Sequence, residues 1–299
     1  MTLRTKIFLE GLTFGESPRW HNGKLWFSDF YSNRVMTVDM NGKAETVVEV
    51  PGVPSGLGWL PDGRLLVVSM TERRLLRLDP EGLTELTDLS KLAPYNCNDM
   101  VVDKQGRAYI GHFGYDFFNH KPFAPASVIM VTPDGNACVV ADDMFFPNGS
   151  VITPDGRTLI IAETMGARLT AFNIEADGSL AGRHIWAKLG ETLHDGLSKE
   201  EADKLAAENV FPDGICLDAE NAVWVADASG KQVIRVREGG EVTDRVELSA
   251  AAVACMLGGP DRRTLFVIAS ELPQPGDASA KPGAHIEIVK VDVPGAGLP

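Results

Sequence analysis

"FFPNGSVITPDGRTLIIAE" (residues 145–163) and "VFPDGICLDAENAVWVAD" (residues 210–227) have the same layout. Each runs Phe-Pro-Asn/Asp-Gly, an apolar stretch, a polar turn, and a second apolar stretch that ends on an acid. Two short apolar runs joined by a tight polar turn make a β-hairpin. The unit recurs as "WHNGKLWFSD" from Trp20, "WLPDGRLLVVS" from Trp59, "VVDKQGRAYIGH" from Val101 and "LGGPDRRTLFVIAS" from Leu257, giving six copies. The turn residues Gly23, Gly63, Gly106, Gly156, Asn221 and Arg262 follow one another at intervals of 40, 43, 50, 65 and 41 residues. That period belongs to propeller blades.

Behind each unit lies a second hairpin of alternating polarity, as in "NRVMTVDMNGKAETVVEV" (33–50) and "SVIMVTPDGNACVVAD" (127–142). Each repeat is thus a blade of four antiparallel strands, A to D outward from the axis. The chain is expected to be an all-β, six-bladed β-propeller, one domain over residues 1–299. The sixth repeat supplies only three strands, whereas "RTKIFLEGL" (4–12) precedes the first blade as a spare. This N-terminal strand is expected to close the last blade. A β-sandwich of similar length would not explain the recurrence.

Equivalent positions near the start of the six A strands carry Glu16, Ser55, Asn98, Asn148, Asp213 and Ala254. In a propeller such positions form a ring at one mouth of the central channel. Four of the six offer carboxylate or carboxamide oxygens, the hard donors that calcium takes. Two negative charges, Glu16 and Asp213, match a divalent cation, with Asn98 and Asn148 adding neutral oxygens. The plain structural alternative makes Asn148-Gly149 and Asp213-Gly214 turn dipeptides.

With 28 basic and 41 acidic residues, the chain carries a net charge of −13 and repels phosphate backbones and anionic membrane surfaces. Neither nucleic acid nor membrane is expected as a partner. No leader-like or spanning apolar run is present, so a cytoplasmic location is expected. The four cysteines, Cys97, Cys138, Cys216 and Cys255, are scattered and read as reduced thiols.

"GESPRW" with Glu16, "NCNDMVVD" with Asn98 and Asp99, "FPNGSVITPDG" with Asn148 and "FPDGICLD" with Asp213 resemble the SMP-30/gluconolactonase/luciferin-regenerating-enzyme family of six-bladed propellers. The resemblance covers essentially the whole chain. It implies a catalytic divalent metal, calcium first with zinc, magnesium and manganese as alternatives, on Glu16, Asn148 and Asp213. The residue matching Asn98 binds substrate, or the metal in more distant members. Sugar-lactone members of the animal type carry an arginine where this chain has Asn96, which puts a gluconolactone-like substrate in question, though not lactone hydrolysis.

The implied function is a metal-dependent lactonase that takes a small-molecule lactone, with Asp213 as the general base and a metal-polarised carbonyl. A phosphotriesterase on the same site and a non-catalytic, metal-clamped binding propeller are the alternatives. Substrate-contact candidates are Asn98, Asn96, Asp99 and His112, with Tyr115, Phe117 and Phe118 as an apolar wall. Residues 192–209, with a capping box at Ser198 and Glu201, read as a helical lid over the site. A surface helix is the bland alternative.

Overall fold

The computed structural model describes residues 3–192, 204–205, 207–271 and 283–297. Two N-terminal strands, β1 (Leu3–Arg4) and β2 (Lys6–Leu12), lead into the first blade: β3 (Gly15–His21), β4 (Lys24–Asp29), β5 (Arg34–Val38) and β6 (Ala44–Glu49). The second blade is β7 (Pro54–Trp59), β8 (Leu65–Ser69), β9 (Arg74–Asp79) and β10 (Gly82–Asp88), and the third β11 (Cys97–Val102), β12 (Ala108–His112), β13 (Ala126–Val131) and β14 (Ala137–Met144). The fourth is β15 (Pro147–Ile152), β16 (Thr158–Glu163), β17 (Arg168–Ile174) and β18 (Leu180–Lys188). The fifth is β19 (Pro212–Leu217), β20 (Val223–Asp227), β21 (Gln232–Val236) and β22 (Val242–Glu247), and the sixth opens with β23 (Ala251–Gly258), β24 (Thr264–Ser270) and β25 (Ala284–Lys290).

Each blade pairs in that order, all antiparallel, so the six-bladed propeller expected from the repeats is the fold. The inner strands β3, β7, β11, β15, β19 and β23 touch one another in sequence, and β23 returns to β3. Their side chains are almost wholly buried, in the continuous pattern of strands covered on both faces.

The glycines after Asn148 and Asp213 are not turn glycines. Both lie inside strands, β15 and β19. A Cβ at Gly149 would sit 2.5 Å from the Asp213 carbonyl oxygen, and one at Gly214 would sit 2.4 Å from the Ala254 Cβ. Gly56 in β7 is closed off in the same way by the Met100 amide at 2.6 Å. Glycine is required because neighbouring inner strands approach backbone to backbone.

In every blade the pairing of the inner strand with its neighbour slips at this point, between Glu16 and Arg19, Pro54 and Leu57, Cys97 and Met100, Pro147 and Ser150, Pro212 and Ile215, and Ala252 and Ala254. A β-bulge re-aims side chains, and bulges gather next to functional sites. Here all six fall at the ring of candidate donors.

The N-terminus closes the ring as expected. β2 runs antiparallel to β25 as the fourth strand of the last blade, from Lys6 opposite Ile288 to Leu12 opposite Ala284. Phe8 packs edge-on against Phe266, 5.5 Å between ring centres. One feature was not legible in the repeats: β1 pairs in parallel with β22, adding a fifth strand to the fifth blade. The first residues therefore stitch blades five and six together. Among the described residues no helix is long and apolar enough to cross a membrane.

Deleting residues 1–12 removes both seams and bares the β25 edge. The truncated protein is expected to melt more than about 10 °C below the full chain or to aggregate, as read by scanning calorimetry and gel filtration. A truncated chain that melts with the parent would show that the N-terminus does not hold the ring.

Candidate metal centre

Glu16, Ser55, Asn98, Asn148 and Asp213 are each the second residue of their inner strand. Burial is nearly complete, with 8% of Glu16, 6% of Asn98, 7% of Asn148 and 9% of Asp213 exposed. Both amides spend their nitrogen on the framework. Asn98 Nδ2 donates to the Pro147 carbonyl at 3.1 Å and Asn148 Nδ2 to Thr164 Oγ1 at 3.3 Å, while Thr164 in turn donates to the Pro212 carbonyl at 2.8 Å. The oxygen is left as the free end of each amide.

The acids are more telling. Asp99 is the third carboxylate here, and it is fully engaged: its Oδ1 accepts from Arg19 at 2.7 Å, Ser17 Oγ at 2.9 Å and the Met100 N–H at 2.8 Å. Arg19, 4% exposed, also donates to the carbonyls of Leu57, Pro18 and Met100. Each member of this ion pair is thus held by the backbone as well as by its partner. Among the described residues Glu16 receives only the N–H of Ser17, at 3.0 Å, and Asp213 Oδ1 is buried without any partner. Burial raises both carboxyls well above the ordinary range; for Glu16 the charges of Asp213 and Asp99 add to the effect, and for Asp213 that of Asp99 does, against the opposing Asn148 amide.

An unpartnered buried carboxylate oxygen is costly, and two carboxylates repelling each other cost more. With Asp99 neutralised by Arg19, the ring keeps two negative charges and two amide oxygens. This set fits a hard divalent cation. Among the described residues no three His, Cys, Asp or Glu side chains gather as a metal cluster, consistent with a donor set that is half carboxamide.

The structure gives several other candidates a definite place. Asn96 lies two residues before Asn98, 8% exposed. His112 ends β12, is 2% exposed, and burial pushes its pKa down to about 4. Its Nδ1 accepts from the Gly114 N–H at 3.0 Å and its Nε2 from the Ser127 N–H at 2.9 Å, with Ser127 Oγ also 2.9 Å from Nε2. His112 thereby holds both ends of the loop between β12 and β13. Tyr115, Phe117 and Phe118 lie in that loop, in ring contact with Phe113 or Phe146. Cys97 is wholly buried in an apolar cluster, and burial raises its thiol to about 12.

The capping-box residues Ser198 and Glu201 lie outside the described residues. At the stem of that insertion Lys204, Leu205, Ala207 and Glu208 are helical, and Asn209 ties it off, accepting the Glu191 N–H at 3.0 Å and donating to the Glu191 carbonyl at 2.7 Å. The acids ending the second strands act likewise. Asp29, Glu163 and Asp227 accept the N–H groups of Phe14, Phe145 and Phe211, fixing the loops that deliver Glu16, Asn148 and Asp213. Sequence reading noticed these acids without assigning them, and it missed Ser17, Arg19 and Thr164.

The fold and this cluster define a six-bladed propeller with an oxygen-lined, doubly negative site at one mouth of its channel. The profile of the family described as SMP-30/Gluconolactonase/LRE-like region matches residues 14–271, and the chain belongs to that family. Regucalcin of Xenopus laevis is 25% identical over 270 residues, 87% of this chain and 84% of its own. Pentonolactonase XacC of Haloferax volcanii is 24% identical over 307 residues, 99% of this chain and 96% of its own. The crystal structure of a calcium-binding protein, regucalcin, from Agrobacterium tumefaciens shares the fold, with a TM-score of 0.79 at 21% identity over 100% of this chain and 97% of that one.

Two outcomes follow. Arg19→Met strands the Asp99 charge in the interior and should cost about 3–5 kcal/mol in denaturant unfolding, most of it regained when Asp99→Asn is added. For His112 the unfolded chain takes up a proton below its ordinary value of 6.5, whereas the folded one does so only near 4. Stability should therefore fall by about 3 kcal/mol as pH drops through that window. His112→Gln should flatten the slope; an unchanged slope would place the titrating group elsewhere.

Proposed function

We propose that this protein is a metal-dependent lactonase, with calcium as the first candidate cation, bound by Glu16, Asn98, Asn148 and Asp213. The single observation behind this reading is the pair of buried carboxylates, Glu16 and Asp213, neither of which forms an ion pair among the described residues, with Asp213 Oδ1 bare of hydrogen bonds there. The Agrobacterium regucalcin, described as calcium-binding, and the lactonase named among the relatives support the same reading.

When bound, such a cation supplies Lewis-acid polarisation of the lactone carbonyl and charge for the developing oxyanion. The protein's part is positional. Glu16 sits behind the N–H of Ser17, which keeps one of its oxygens oriented. Asn98 and Asn148, with their nitrogens tied to Pro147 and Thr164, cannot swing away from the ring. Asp213 is the general base: its free Oδ1 accepts the proton of the attacking water, and the Asn148 amide favours the ionised form that can do so. The Arg19–Asp99 pair anchors the strand just past the bulge at Glu16.

Glu16→Ala and Asp213→Ala should each abolish turnover and the metal-induced rise in melting temperature, whereas Ser55→Ala should preserve the rise. The measurement is a pH-indicator assay on a lactone panel with calcium, magnesium, manganese and zinc, run beside thermal melts. A full metal-induced rise in Glu16→Ala would remove the ring from the metal site. Turnover of a phosphotriester but no lactone would move the activity to the other hydrolase class, and a silent panel would leave a binding propeller.

A further inference from the structure

The walls above the ring are not alike on all sides. Phe30, Met70, Phe113 and Phe146 form one buried apolar cluster, 7%, 2%, 6% and 7% exposed. They come from four different blades, one from each of blades one to four. Each lies in a connection on the metal's face: Phe30, Met70 and Phe113 directly follow β4, β8 and β12, and Phe146 directly precedes β15. The half-buried side chains packed against them, Phe14 and Val53 among them, also come from such connections. No described residue of blades five and six joins the cluster. The positions matching Phe30 in blades four and five are Thr164 and Ala228, and in blade six the charged Glu271.

This half-collar runs straight into the donor ring, because Phe146 is two residues before Asn148 and Phe14 two before Glu16. Phe113 stacks on Phe146 with 4.4 Å between ring centres, and the wall continues outward into Phe118, 44% exposed and 5.7 Å from Phe113. The backbone is strained where it carries the wall, with φ of 65° at Val53 and 61° at Phe146. Left-handed backbone is an outlier for a β-branched or bulky residue, and such strain concentrates at ligand sites. At the tier two residues before the ring, Asn96 is the polar exception among Phe14, Val53, Phe146, Phe211 and Ala252. Its carboxamide makes no side-chain hydrogen bond among the described residues. A polyhydroxylated lactone would lose water from its hydroxyls against Phe30, Met70, Phe113 and Phe146, none of which offers a hydrogen-bond donor in return. An alkyl or aryl group there loses nothing.

Resting on the lactonase reading, we infer that the substrate is a lactone bearing an apolar substituent, which lies against the Phe30–Met70–Phe113–Phe146 wall, with Asn96 meeting a polar atom of the lactone ring. Selection among lactones is set by this wall and not by the donors below it.

Three six-membered lactones separate the terms: δ-valerolactone as the bare ring, δ-decalactone with a five-carbon chain, and glucono-δ-lactone with hydroxyls. Measured with calcium, kcat/KM for δ-decalactone should exceed that for δ-valerolactone about tenfold or more, with glucono-δ-lactone below both. Phe113→Ala should collapse the decalactone-to-valerolactone ratio. Phe118→Ser, at a position too exposed to threaten folding, should reduce it severalfold with an unchanged melting temperature. Turnover of glucono-δ-lactone or δ-valerolactone at least as fast as δ-decalactone would overturn the inference and leave the lactonase standing. A wild-type ratio in both variants would also overturn it. Failure of all three lactones with every cation would sink the lactonase reading and this inference together.

Discussion

The closeness of the inner strands around the axis governs the rest of the structure. At Gly56, Gly149 and Gly214 the next strand stands where a Cβ would be. At the same height each inner strand also bulges against its neighbour within the blade. The bulges release one side chain per blade from the sheet. In the reading proposed above, side chains from several blades meet one small object at that level.

What that object is follows from charge. Three carboxylates and one guanidinium are buried around the channel. Asp99 reaches past Gly56 of the intervening blade to Arg19, so the pair spans blades one and three and its charges cancel. Glu16 and Asp213 form no ion pair among the described residues, and burial outweighs the Ser17 amide and Arg19 charge at Glu16 and the Asn148 amide at Asp213. A protein that keeps two such groups raised and repelling, one with a bare oxygen, is organised for something positive to enter.

The two halves of the mouth then divide the labour. Blades one to four present a continuous apolar cluster, whereas in blades five and six Ala228 and Glu271 stand where blade one has Phe30, and Phe211 of blade five, though it matches Phe146, lies outside the cluster. In the reading proposed above, the ring handles the reacting bond and the wall receives the rest of a ligand, and the two are adjacent in the chain, two residues apart in Phe146 and Asn148. Chemistry and selectivity can therefore be altered separately, one at the bulge and the other in the loop ahead of it.

Blade count, strand count, closure by the N-terminal strand and the shared strand position of Glu16, Ser55, Asn98, Asn148 and Asp213 were all legible in the sequence. A propeller is a repeat, and hairpin signals and equivalent positions are properties of short stretches. Phe146-Pro147-Asn148-Gly149 and Phe211-Pro212-Asp213-Gly214 announced their own equivalence, although only the packed strands showed that their glycines serve close approach and not a turn. The Ser17–Arg19–Asp99 knot, the Thr164 bridge from Asn148 to Pro212, the second pairing of the N-terminus along β22 and the one-sided apolar wall were decided by tertiary structure alone. They join residues of different blades, some 80 positions apart as with Arg19 and Asp99, and no local period records which side chain will reach across a channel that exists only once the ring is closed.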